Sequence, residues 1–232
     1  MSEDTASHEA LVHQLNDPAL RAAYARPYDN YRPGIVPRFL GYILVLSGTL
    51  MYGKKPSYGK FKAIEVIARI PYQSWEVASY TLLTALYGNE ERAIELSKTS
   101  AFSRIAQDNE TMHVVLMSQL CHKRKCVGPI RHGLIPLLFA LFYFWTLYFL
   151  YMISRKASLE LNYIFENHAY HQYQEFLDLN EHELKQHAVV SDFLVFYGRH
   201  VRSEYELFET IRNDELIHRN RTIKELQSRN RH

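Results

Sequence analysis

Two Glu-x-x-His pairs recur in this chain, Glu110 with His113 and Glu215 with His218. On a helix, residues three apart share a face, so each pair aims one carboxylate and one imidazole at one spot. Two such pairs, joined by a lone glutamate from each of two further helices, make the di-iron carboxylate site of ferritin-like four-helix bundles. A single pair carries little weight, because Glu and His are common on solvated helix faces. Lone glutamates in the right order are present as Glu65 and Glu166. Iron in an oxygen-activating site favours carboxylate oxygens with imidazoles. Six ligands for two metals leave coordination positions where dioxygen can bind.

The neighbouring residues fit the same chemistry. Asp214 precedes Glu215 and Asn109 precedes Glu110, and either could hydrogen-bond a ligand and fix its orientation. Tyr173 lies two helical turns after Glu166 and shares its face, although spacing alone favours a core aromatic in a chain with 17 tyrosines. His168, His171, His182, His187 and His200 read as surface or core residues rather than ligands. Cys121 and Cys126 flank a basic loop without zinc-finger spacing, so they give no disulfide framework.

These residues need long helices to hold them. The 232-residue chain is 47% hydrophobic, enough for a sizeable core, and its net charge of +2 points to no nucleic-acid partner. The reading divides it into a polar N-terminal arm (1–33), a helical domain (34–227) and a polar tail (228–232). The arm carries one short helix, about 9–25. An apolar stretch at 39–52 follows. A helix from about 58 toward 87, kinked at Pro71, carries Glu65. A turn at Gly88-Asn89 and a polar region precede a helix over about 103–120 with Glu110 and His113. The charge-free stretch 133–153 continues without a break into 158–179, which carries Glu166. A last helix over about 188–226, with an interruption at Gly198, carries Glu215 and His218. No alternating pattern is long enough for a sheet, so the expected fold is all-α, a ferritin-like four-helix bundle. The acidic N-terminus lacks a secretory or transit pattern and reads as mature or bacterial-type.

The two apolar stretches set the membrane expectation. At 14 residues, or ~21 Å as a helix, 39–52 is too short for a ~30 Å bilayer core. The stretch 133–153 is long enough to span. Basic residues at the edges of both, including Lys54, Lys55, Arg131 and Arg155, suit anionic headgroups. The favoured arrangement is monotopic, with both helices lying in one leaflet.

Four blocks resemble the alternative oxidases, most closely their plastid terminal oxidase and cyanobacterial quinol oxidase branch. Residues 63–72 (AIEVIARIPY) are similar to "LETIARVPY", residues 109–113 (NETMH) to "NERMH", residues 165–173 (FENHAYHQY) to "VESHAYETY", and residues 211–218 (IRNDELIH) to "IRDDEAEH". The resemblance implies a membrane-bound quinol oxidase that reduces dioxygen to water at two non-haem iron ions without proton pumping. It implies Glu65, Glu110, His113, Glu166, Glu215 and His218 as iron ligands. Tyr173 takes the place of a redox-active tyrosine, against the expectation from spacing. Asn109 and Asp214 take the outer-shell positions, and Lys60 and Ala169 positions at the quinol pocket. The implied partners are ubiquinol or plastoquinol, dioxygen, membrane lipid and a second copy of the chain. The chain departs from the branch where Lys60 replaces an arginine, Leu83-Thr84 replaces a Glu-Thr pair, and a single tyrosine, Tyr197, follows Phe196. The Glu65-to-Glu110 spacing is also longer, with the extra length expected as a surface insertion in 88–103. Two rivals remain: a membrane-attached di-iron hydroxylase of quinone biosynthesis, and a non-catalytic membrane-associated helical protein with a relic metal site.

Overall fold

The computed structural model describes residues 3–126 and 128–227, with side chains from residue 6 onward. Four helices bear the two Glu-x-x-His pairs and the two lone glutamates. They are α4 (Tyr58–Ala68), α6 (Glu90–Lys123), α8 (Arg155–Gln186) and α10 (Glu204–Gln227). Among the described residues there is no sheet, only an isolated bridge between Ala188 and Ser203. The all-α expectation therefore holds.

Local chemistry sets the helix ends. Ser57 caps α4 by accepting from Lys60 N, Asn89 caps α6 by accepting from Arg92 N, and Ser154 caps α8 by accepting from Ala157 N. The expected 58–87 helix is two helices, α4 and α5 (Ile70–Ala85), broken at Arg69 just before Pro71. Pro71 has no N–H to continue the ladder.

Three segments differ from expectation. The residues expected as a surface insertion form the first half of the 34-residue α6, with Leu96, Thr99, Phe102 and Ser103 buried. These turns continue the same helix that carries Glu110 and His113, and α6 packs against α5. The run from 133–153 into 158–179 is broken at Ser154, whose extended backbone (φ −149, ψ 92) separates α7 (Ile135–Ile153) from α8. A single π-helical turn, Ile130–Leu134, leads into α7. The expected 188–226 helix is a short α9 (Asp192–Phe196), a turn at Gly198 with φ 73, and then α10. Only a residue tolerant of positive φ makes that turn cheaply.

The N-terminal arm holds two helices rather than one, α1 (Glu3–Gln14) and α2 (Pro18–Asp29). Val12, Leu15 and Ala25 pack against Leu216 and Ile217, covering the outer side of α10. As a result nearly every residue from Leu207 to Ile223 is buried. The polar tail 228–232 lies outside the described residues.

The apolar segments become α3 (Ile35–Tyr52) and α7. At 18 residues α3 is longer than expected, ~27 Å, so its length no longer argues against crossing a bilayer. Each helix has one packed and one bare face. On α7, Pro136, Ala140, Tyr143, Leu147 and Tyr151 are buried along its whole length, while Leu138, Leu141, Phe142, Trp145 and Phe149 are exposed. On α3, Gly41 faces α8 so closely that a Cβ there would meet Ile164 at 2.9 Å.

Candidate metal centre

The six residues expected to bind metal meet at one point inside the bundle. Each is at most 3% exposed. Glu65 comes from α4, Glu110 and His113 from α6, Glu166 from α8, and Glu215 and His218 from α10. Their atoms form two overlapping groups. In one, Glu65, Glu110, His113 and Glu215 place one donor atom each within 4.8 Å of one another. In the other, Glu110, Glu166, Glu215 and His218 do the same. Glu110 and Glu215 belong to both groups, so two adjacent positions share two carboxylates.

The imidazoles are oriented alike. His113 Nδ1 lies 3.3 Å from Glu110, 3.5 Å from Glu65 and 3.5 Å from Glu215. His218 Nδ1 lies 2.8 Å from Glu110 and 4.0 Å from Glu166. These approaches lack hydrogen-bond geometry. Glu65 Oε2, both Glu110 oxygens, Glu215 Oε1 and the Nδ1 atoms of both histidines are buried without a hydrogen-bond partner. So many orphaned buried polar atoms in one place are costly unless something binds them.

Electrostatics points the same way. Burial pushes the Glu65, Glu166 and Glu215 carboxyls up, with neighbouring carboxylates adding to the rise. For Glu110, burial also pushes up, but the two imidazoles override it and bring the carboxyl down to about 2. Four carboxylates crowded out of water need positive charge among them. Two divalent cations would supply it, and an all-oxygen-and-imidazole donor set suits iron. The residues fit a di-iron centre.

Two apolar clusters enclose the site. On one side Tyr173 stacks on Phe61, with centroids 4.1 Å apart, and its hydroxyl donates to Glu65 Oε1. Burial, with the Glu65 charge beside it, holds this phenol well above the usual tyrosine range. On the other side are Tyr72, Trp75, Phe102 and Leu159. His113 Nε2 donates to Asp214 Oδ2 at 2.9 Å, as expected for a residue that fixes a ligand's orientation. Burial alone would push Asp214 up. The Arg199 guanidinium and the bonds from His113 and His8 hold it well below the carboxylate range. Asn109 is buried, but its Oδ1 has no partner, and among the described residues no hydrogen bond joins it to the six.

The family model for alternative oxidase matches residues 47–226, well over half of the chain and all six site residues. The chain belongs to the alternative oxidase family. It is a membrane-associated quinol oxidase with a di-iron carboxylate centre. No curated protein and no solved structure matches it.

Several groups around the oxidase's centre were not found by sequence reasoning. Tyr72 donates to Glu166 Oε1 at 2.6 Å, and Asn162 donates to the same oxygen at 3.0 Å. His8 Nε2 meets Asp214 Oδ1 at 2.9 Å, and the fully buried Arg199 pairs with both Asp214 and Glu9. A cavity of about 110 Å³ runs from α3 and α7 to the site. Lys60, Ala169 and His168 line it, as do Glu166 and Glu215. Lys60 is buried and donates to Gln172 Oε1 at 2.6 Å and Lys54 O at 3.0 Å, and burial pushes its ammonium down. Tyr143 Oη and Asn162 Oδ1 also belong to cavity-lining residues and have no hydrogen-bond partner.

Proposed function

We propose that this oxidase, a member of the plastid and cyanobacterial branch, takes ubiquinol or plastoquinol from a membrane through the α3–α7 cavity. It reduces dioxygen to water without pumping protons. Two quinols lose four hydrogens, which one dioxygen takes up as two waters. The cavity is the observation that carries this reading: its lining includes two apolar helices with bare outer faces and the buried carboxylates Glu166 and Glu215.

Glu65, Glu110, His113, Glu166, Glu215 and His218 hold the two irons in this reading. Iron bound there supplies the redox couple between quinol and dioxygen. The protein supplies the rest. Leu44, Phe139 and Phe165 give the quinol head an apolar wall. The unpaired Tyr143 Oη and Asn162 Oδ1 offer its hydroxyls partners. Lys60 and Ala169 line the same cavity. In this reading Tyr173, which donates to Glu65, would supply a proton and an electron for dioxygen reduction. Asp214 holds the His113 ring. Asn109, although unpaired here, stands at the matching outer-shell position.

The membrane arrangement in this reading is monotopic. The buried face of α7 runs its full length against α4, α5 and α8, and of these α4 (Lys60, Glu65) and α8 (Glu160, Glu166) carry buried charge. A helix packed along its whole length on such a bundle cannot cross a bilayer without taking the charges with it. Lying in one leaflet leaves Phe142, Trp145 and Phe149 in lipid and the carboxylates in protein. A homodimer is what the resemblance implies, and light scattering of the purified protein tests it.

The deciding experiment measures oxygen uptake by iron-loaded protein in liposomes containing ubiquinol or plastoquinol, alongside Glu110→Ala. Uptake with one quinol, lost in the variant and unaffected by cyanide, supports the reading. No uptake with any quinol, or full activity in Glu110→Ala, overturns it.

A further inference from the structure

The family match begins within α3 and leaves α1 and α2 outside. Even so, α1 reaches the back of the iron site. His8 is 2% exposed, and its Nε2 donates to Asp214 Oδ1 at 2.9 Å. The next residue, Glu9, accepts from Arg199 through both carboxylate oxygens, Nε at 3.0 Å and an Nη at 2.7 Å. Arg199 turns its other Nη donors to both oxygens of Asp214. Asp214 therefore receives two donors on each oxygen: His113 and Arg199 on Oδ2, His8 and Arg199 on Oδ1. The His8 ring also lies 5.9 Å from the ring of His218.

We propose that His8 is a positioning residue of the iron centre, fixing, together with Glu9, the Asp214–Arg199 pair so that His113 presents Nδ1 to the metal positions. A carboxylate with all its acceptor sites filled has one orientation. With His8 gone, Oδ1 keeps only Arg199, and the plane that aims the His113 ring is free to tilt. Glu9 acts one step further back by occupying the other side of the buried guanidinium. The α1 helix is held independently, by Val12 and Leu15 against Leu216 and Ile217 and by Asn213 Nδ2 donating to Val12 O at 2.9 Å. This makes it possible to separate latching of the helix from positioning of the site.

The proposal rests on the iron site described above. The test titrates ferrous iron, without oxygen, into metal-free full-length protein against a chromophoric ferrous chelator. Wild-type protein that binds no iron removes the site itself, not the role of His8 alone. With wild type binding, His8→Ala is expected to weaken iron about 10–100-fold, the usual effect of losing an outer-shell partner. His8→Gln, whose amide N–H can still reach Asp214, is expected to recover most of that affinity. Val12→Ala loosens α1 without touching Asp214, and is expected to lower the melting temperature while leaving iron affinity unchanged. Wild-type affinity in His8→Ala, or an equal loss in Val12→Ala, overturns the proposal. Should His8→Ala fail to fold, Glu9→Gln decides. It keeps the shape of the side chain and is expected to weaken iron severalfold, and unchanged affinity there overturns the proposal.

Discussion

Tyr72 and Glu166 meet 2.6 Å apart across the bundle, phenol to carboxylate, from positions 94 residues apart in sequence. The Asn162 amide bonds both of them, at 3.0 Å each, and closes a triangle. The phenol is therefore a fixed donor that selects which Glu166 oxygen faces the centre. Tyr72→Phe removes the donor and leaves no void. A hydrogen bond to a charged group is worth about 1.5–3 kcal/mol, so denaturation should show a loss of that order. Oxygen uptake should fall about 10–100-fold while the fold persists. Wild-type turnover in Tyr72→Phe would show that Glu166 needs no such donor.

Glu110 and Glu65 differ in how many donor groups they join. Glu110 serves both, and Glu65 serves only one. Glu110→Ala should then disturb both metal positions, and Glu65→Ala mainly one. Iron analysis after gel filtration should find residual iron in Glu65→Ala and almost none in Glu110→Ala. Equal iron loss in the two variants counts against shared carboxylates.

The sequence revealed the residues whose signal is local. The two pairs announce themselves because three-residue spacing on a helix is a contact in itself. Glu65 and Glu166 needed order and resemblance, and Asp214 followed from standing beside Glu215. His8, Arg199, Tyr72 and Asn162 carried no such sign. His8 and Asp214 are 206 residues apart, and only the docking of α1 on α10 joins them. Helix limits failed where tertiary contact overrode propensity. The 188–203 segment is as apolar as a helix, yet Glu204 N bonds His187 O and closes it into a loop. The first turns of α6 look polar because three of the residues buried there, Thr99, Ser100 and Ser103, are themselves polar, beside Leu96 and Phe102. The cavity had no local signature, being walled by residues from six helices, α3, α4, α5, α7, α8 and α10.

Crowded carboxylates make stability depend on pH in opposite ways with and without iron. Glu65, Glu166 and Glu215 have carboxyls raised above their unfolded value of about 4.3, and His113 and His218 are raised above about 6.5. Each binds more protons folded than unfolded over its window. The metal-free fold therefore loses stability as pH rises from about 4.3 through the raised values. Glu110 and Asp214, which are lowered, act only in stronger acid, where their stabilising contribution is lost as pH falls. Iron takes the place of those protons. Histidines lowered by burial, His8, His132, His168 and His171, act the opposite way below about pH 6.5, so melting curves from about pH 6.5 to pH 8 should show metal-free protein weakening with pH and stabilisation by ferrous iron growing. A metal-free protein that gains stability across this range would contradict the burial of these carboxyls.

The exposed face of α7 makes the membrane arrangement testable without activity. Phe142 is 71% exposed and Trp145 55%, whereas Tyr143 between them is buried. Burying a large apolar side chain contributes about 1.5–3 kcal/mol, so Phe142→Glu with Leu138→Glu should lower vesicle binding steeply. The fold and the iron content should survive, because neither side chain touches the bundle core. Sedimentation with vesicles containing anionic lipid measures the loss. Protease protection in sealed vesicles separates the two topologies. A leaflet-bound helix leaves every soluble loop on one side, whereas a crossing by α7 would protect the residues that follow it from a protease that digests those before it. The leaflet arrangement proposed above predicts the first result, with Tyr143 and Leu147 kept in the core beside α5 and α8 and the cavity beside Glu166 left closed by them.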